Sequence, residues 1–138
     1  MQTNKHIFDK LKLSGLRATK QRLKIANILF EKNKTFHFSI SELANLINKR
    51  YGYTVALATV YNTVNAFKNH GFLKEIAINS EHSYFDTNTT NHHHFYDIDK
   101  DELSDIENND VSPIKIKKAI PGKKIKSIEV LVKISSEN

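Results

Sequence analysis

The chain of 138 residues contains no cysteine. Disulfides, thiolate zinc clusters, iron–sulfur centres and thiol nucleophiles are therefore excluded, and any metal must be held by nitrogen and oxygen. Long apolar runs are missing as well. Nothing approaches the ~20 residues that a membrane-spanning helix needs, and the opening Met1-Gln2-Thr3-Asn4-Lys5-His6 lacks the apolar core of a secretion signal. A cytoplasmic protein without a membrane partner is the expectation. No repeat or low-complexity segment is visible, and the length suits one domain or two small ones. Acids are scarce in the front half: residues 1–75 hold four (Asp9, Glu31, Glu42, Glu75) against 13 Lys and Arg, whereas residues 76–138 hold eight Lys and 11 acids. Such asymmetry hints at a polyanion partner for the front half. A solvated, lysine-rich helical surface explains it equally well at this point.

What is present begins with Asn91-His92-His93-His94-Phe95-Tyr96, which gathers three of the seven histidines. In an extended segment side chains alternate faces, so His92 and His94 point one way and His93 the other. Two imidazoles on one face make a metal clip, or a site for haem. An expression tag is the bland alternative, but a tag is longer and terminal.

Patterning sorts the rest into two parts. Apolar spacing predicts helices over 20–32 and 39–50 and from about 58 to 70, the last on the stripe Leu57, Val60, Tyr61, Val64 and Phe67. Ser39 with Glu42 forms a capping box, and Gly71 supplies a helix stop. The outward positions of the third helix, Ala58, Thr59, Asn62, Thr63 and Ala66, are uncharged and small or hydrogen-bonding, as suits a helix that enters a DNA groove. Residues 73–78 and 83–86 predict a hairpin, the wing of a winged helix. Beyond Asn91 a second hairpin is expected around a turn at 99–101, then a short helix near 114–120, then a half-buried strand alternating over 128–134. The fold class is α+β: a winged-helix DNA-binding domain over 1–87 (helices plus two-stranded wing), a hinge with metal ligands over 88–94, and a small α/β dimerisation domain over 95–138. A unit of ~45 residues buries little by itself, so a homodimer is expected.

Leu16-Arg17-Ala18-Thr19-Lys20-Gln21-Arg22, the helix opening His37-Phe38-Ser39, Leu57-Ala58-Thr59-Val60-Tyr61-Asn62-Thr63-Val64, the hairpin end Tyr84-Phe85-Asp86 and the histidine run together resemble the ferric uptake regulator (Fur) family over essentially the whole chain. Within it, Tyr61-Asn62-Thr63, Tyr84-Phe85-Asp86-Thr87-Asn88 and His92-His93-His94-Phe95-Tyr96 are most similar to the iron response regulators (Irr) of alphaproteobacteria. The resemblance implies a homodimeric winged-helix repressor that binds double-stranded DNA at iron and haem genes and responds to haem status, not an enzyme. Other sensors of the family answer to manganese, zinc or peroxide.

Position by position, the resemblance puts Arg17 in a DNA minor groove, Tyr61 against a thymine methyl and Asn62 at the neighbouring base-facing position. Lys20, Gln21, Arg22 and Thr59 fall in the DNA-facing neighbourhood, with phosphate contacts for Lys20 and Arg22. Tyr61 also lies on the apolar stripe, where a core role is the alternative, and Arg22 has the alternative of capping or pairing within its domain. The family's regulatory metal site maps onto His37, Asp86, His92, His94 and Asp105. Three imidazoles and two carboxylates suit Fe²⁺, Mn²⁺ or Zn²⁺ alike. Haem is a second ligand class, with His92, His93 and His94 as axial candidates.

Departures from the family also carry expectations. Without paired Cys-x-x-Cys motifs there is no structural zinc of the four-cysteine kind. No histidine follows His94, and Asn91 and Ser112 stand where a second, sheet-side site usually draws ligands, so none is expected there. The Cys-Pro haem motif of some iron response regulators is also missing. His6, His70 and His82 read as ordinary surface residues. Two rival classes remain: a metal-dependent hydrolase, which would leave the basic helical half unexplained, and a metal-independent nucleic-acid or chaperone-like module.

Overall fold

Thr19 and Ser39 each start a helix in the same way. Both are extended, and each side-chain oxygen accepts a hydrogen bond from the backbone N–H three residues on, that of Arg22 and that of Glu42. The computed structural model describes residues 2–31 and 34–137, which divide between Thr89 and Thr90 into two compact units.

The first unit contains α1 (Gln2–Leu13), α2 (Lys20–Phe30), β1 (His37–Phe38), α3 (Ile40–Tyr51), α4 (Leu57–Asn69), β2 (Lys74–Ala77) and β3 (Ser83–Asp86). Its core joins Ile25, Ala26 and Leu29 of α2, Leu43 and Ile47 of α3 and Val60, Val64 and Phe67 of α4 with Phe38 and Phe85 of the sheet. The stop expected at Gly71 is a Schellman motif. Gly71 adopts φ 83°, its N–H donates to the Lys68 carbonyl, and the Phe72 N–H donates to the Phe67 carbonyl. The Phe67 and Phe72 rings then meet edge-on at 6.3 Å. The sheet has the order β1-β3-β2, all antiparallel, so the predicted wing hairpin gains a third strand, β1. Helix α1, which sequence patterning did not reveal, adds Ile7 and Leu11 to the core.

The face assignment of α4 needs correction. Thr63, expected outward, is buried and donates its hydroxyl to the Thr59 carbonyl. Leu57 and Tyr61, on the expected apolar stripe, are 56% and 49% exposed, so the core alternative for Tyr61 falls. The buried set Val60, Thr63, Val64 and Phe67 is centred further round the helix, on the Thr63 side, which leaves Leu57 and Tyr61 at the edge of the core-facing stripe.

The second unit is a sheet of order β5-β4-β6, built from β4 (His93–Asp97), β5 (Glu102–Ile106) and β6 (Leu131–Ile134), with β4 antiparallel to β5 and parallel to β6. The hairpin turn is held from inside: the Asp97 carboxylate accepts from the Asp99 and Lys100 N–H groups, and the Tyr96 hydroxyl donates to Asp101 at 2.7 Å. The helix expected at 114–120 is not formed; those residues have no regular structure. Lys115 and Lys118 would repel three residues apart, the β-branched Ile114, Ile116 and Ile120 disfavour helix, and seven residues are too few to nucleate one alone. The strand expected at 128–134 forms only from Leu131. No helix among the described residues is long and apolar enough to cross a membrane.

Candidate metal centre and nucleic-acid interface

The alternation expected of the histidine run is realised in the second unit. His94 and Tyr96 are buried on one face of β4, and His93 and Phe95 lie half-buried on the other. The His92 and His94 rings stand 4.3 Å apart between centroids. Asp105 on β5 is the cross-strand partner of His94, which brings its Oδ1 to 3.2 Å from His94 Nε2 and 3.4 Å from His92 Nε2. Ligands 2.0–2.2 Å from an ion at tetrahedral angles stand about 3.4 Å from one another, so the separations are those of donors around one cation.

Local hydrogen bonding sets the tautomer. His92 Nδ1 lies 2.7 Å from the Thr90 carbonyl oxygen, to which it can only donate. In the neutral ring the lone pair then sits on Nε2, directed toward a carboxylate oxygen, an arrangement that a cation stabilises. His94 is 4% exposed while Asp105 is 52% exposed, which leaves an entry path on the carboxylate side. His93 is separate: its Nδ1 accepts from the Val130 N–H at 2.8 Å, tying β4 to the chain just before β6.

His37 and Asp86 belong to the first unit, where they face each other in the β1–β3 register. Asp86 is fully buried, accepts from the Asn88 N–H at 2.8 Å, and stands opposite Lys74 on its other side. Burial pushes the Lys74 ammonium below its ordinary range, and the Asp86 carboxylate works against that.

On α4, Thr59, Tyr61 and Asn62 are exposed, as are Arg17 just before α2 and Lys20 at its start. Gln21 and Arg22 are half-buried. The Arg22 guanidinium donates to the Arg17 carbonyl at 2.9 Å, the within-domain pairing that was its alternative role. Leu57, which helical periodicity had assigned to the core, is exposed one turn before Tyr61. Helix α4 is fastened to the wing by Glu75 of β2, which accepts from Lys68 Nζ at 2.8 Å and from the Ser83 hydroxyl at 2.7 Å. The Lys68 and Ser83 hydrogen bonds hold the Glu75 carboxyl below the usual carboxylate range.

The family model described as "Ferric uptake regulator family" matches residues 13–134. The peroxide-responsive repressor PerR of Staphylococcus epidermidis is 32% identical over 84 residues, covering 61% of this chain and 54% of the relative. The chain thus spans about half the length of the curated relatives it matches. Among solved structures, the ferric uptake regulator of Vibrio cholerae superposes with a TM-score of 0.71 at 22% identity, covering 94% of this chain and 98% of the other. That of Pseudomonas aeruginosa, solved with manganese, gives 0.66 at 18% identity, covering 94% and 97%. At these identities the superpositions establish the shared fold.

Proposed function

We propose that this chain, which belongs to the ferric uptake regulator family, is a cytoplasmic, metal-responsive transcription regulator that binds duplex DNA and is not an enzyme. The observation that carries the reading is the convergence of His92 Nε2, His94 Nε2 and Asp105 Oδ1 on one point, in a chain whose other unit presents a recognition helix with no charge before Lys68. The ion site is completed by His37 and Asp86 of the first unit. Support comes from their ligand chemistry, from the buried Asp86 carboxylate and from the family resemblance. Fe²⁺, Mn²⁺ and Zn²⁺ all suit this donor set, and the bound ion supplies fixed positive charge. Arg17, Lys20, Gln21, Arg22, Thr59, Tyr61 and Asn62 form the DNA-facing set, with Lys20 on phosphate and Asn62 on a base edge.

A homodimer follows from the second unit's thin core, which buries only Tyr96, Leu103 and Ile106 among its described apolar side chains and leaves Ile98, Val132 and Ile134 exposed. Sedimentation of the full chain as a monomer at micromolar concentration would count against it. The decisive test is DNA binding to promoters of iron and haem genes, titrated with Mn²⁺, Fe²⁺ and Zn²⁺, for wild type and for His92→Ala with His94→Ala. The reading expects affinity that changes on metal addition in wild type and not in the double variant. Affinity indifferent to chelation in both proteins sinks it.

The finer reading makes the chain an iron response regulator with haem as effector and His93 as the imidazole that the ion site leaves over. Absorbance titration with haem tests it. A Soret shift lost in His93→Ala supports haem; no shift leaves metal or peroxide sensing, the latter favoured by the name of the curated relatives.

A further inference from the structure

Residues 111–128 carry six lysines, Lys115, Lys117, Lys118, Lys123, Lys124 and Lys126, and no acid, whereas residues 97–110 of the same unit hold seven acids and one lysine. All six lysines are exposed, and none has a side-chain hydrogen bond or ion pair among the described residues. The chain does not spread them out. Pro121 and Gly122 form a turn of type II pattern: Gly122 has φ 75°, and the Lys123 N–H donates to the Ile120 carbonyl at 3.0 Å. The turn folds one lysine-bearing arm back toward the other. Ile116, Lys118 and Ile120 from the first arm and Lys123, Lys124 and Ile125 from the second line one open concavity of 330 Å³. Six exposed lysines on two arms so turned, with no acid among them, raise the local positive potential, which favours an anionic partner.

We infer that this reversed lysine loop is a sequence-independent contact for the backbone of duplex DNA, additional to the winged helix. Phosphates meet the lysines, and deoxyribose carbons meet the isoleucines of the concavity. The inference rests on the DNA-binding reading above. A lipid surface fits less well, because residues 112–130 form neither helix nor sheet and their backbone polar groups would lack partners in hydrocarbon.

The test uses the full chain on a random-sequence duplex between about 50 and 200 mM salt, where log affinity falls with log salt by about 0.9 per phosphate neutralised. Lys115→Gln, Lys117→Gln and Lys118→Gln together, and Lys123→Gln, Lys124→Gln and Lys126→Gln together, are each expected to reduce the slope by about two to three. The pair Lys100→Gln and Lys133→Gln, outside the loop, leaves it unchanged, and unchanged melting temperatures show that the exposed substitutions preserve folding. Wild-type slopes in both triple variants overturn the loop contact and leave the winged-helix reading standing. Absence of any duplex binding by the wild-type chain overturns both. Binding of the wild type to vesicles containing anionic lipid, lost in the triple variants whose DNA slopes stay at the wild-type value, gives the loop to a membrane and overturns the assignment to DNA.

Discussion

A single backbone carbonyl decides which nitrogen His92 offers. By accepting from Nδ1–H at 2.7 Å, Thr90 places the lone pair of the neutral ring on Nε2, which stands 3.4 Å from Asp105. Loss of such an orienting partner typically costs about 10–100-fold in metal affinity. Removing a donor altogether should cost more. His94→Ala and Asp105→Ala are expected to weaken Zn²⁺ or Mn²⁺ binding by over about 100-fold in calorimetric titration, against which His93→Ala, on the opposite face, changes it little. Equal losses in all three would mean that the cluster does not discriminate faces and hence does not ligate as proposed. At this scale the sequence was informative about direction and silent about partners. Strand alternation alone put His92 and His94 together, whereas the Thr90 carbonyl, the Val130 N–H on His93 and the Arg22 bond to Arg17 depend on backbone that side-chain patterns do not encode.

Glu75 supplies a pH-dependent prediction at the same scale. Its hydrogen bonds from Lys68 and Ser83 hold its folded pKa below the ordinary carboxylate value. Stability from this group is therefore complete above the unfolded-state pKa and drains away as pH falls through the depressed folded value. With Lys68 and Glu75 about one-third exposed, solvent screening limits the contribution to about 0.5 kcal/mol. Glu75→Gln should lower the melting temperature of the first unit at pH 7, and the difference from wild type should close in strong acid. A gap that persists when Glu75 is protonated assigns the effect to packing.

Among elements, helix α3 shows how much of a boundary local chemistry can carry. Ser39 caps its first turn through the Glu42 N–H, and the residue is itself buried. Ser39→Ala should cost about 0.5–2 kcal/mol in denaturant unfolding, while Ser39→Gly should cost only a few tenths. Comparable losses for the two would show that the hydroxyl is not the source of the stability. The cap was visible in the spacing of Ser39 and Glu42, as was the stop at Gly71. Helix α1 was not, because among its described side chains it buries only Ile7 and Leu11, while Phe8 and Leu13 lie exposed and blur the stripe. Nor was β1, whose two residues gain meaning only from pairing with Asp86 and Phe85. The face of α4 was misjudged for a related reason: periodicity describes which side of a helix is apolar, and the side that is buried is turned toward Thr63, leaving Leu57 and Tyr61 at its edge.

For the molecule as a whole, the question is whether one ion acts on one unit or on two. His92, His94 and Asp105 lie in the second unit; His37 and Asp86, proposed as ligands from resemblance and chemistry, lie in the first. An ion bound only to the folded state stabilises it by RT ln(1 + [L]/Kd), about 2.7 kcal/mol at a hundredfold excess over Kd. Two units with separate cores are expected to melt in two transitions without metal. If all five residues ligate, metal must raise both transitions and draw them together, because neither unit can unfold without releasing the ion. His37→Ala should then restore the separation while the second unit keeps part of its metal-induced rise. If the ion is held by His92, His94 and Asp105 alone, metal lifts only the second transition, and His37→Ala has no effect on the metal response. Scanning calorimetry with and without Zn²⁺ separates these outcomes, and the one-unit result would remove His37 and Asp86 from the ion site.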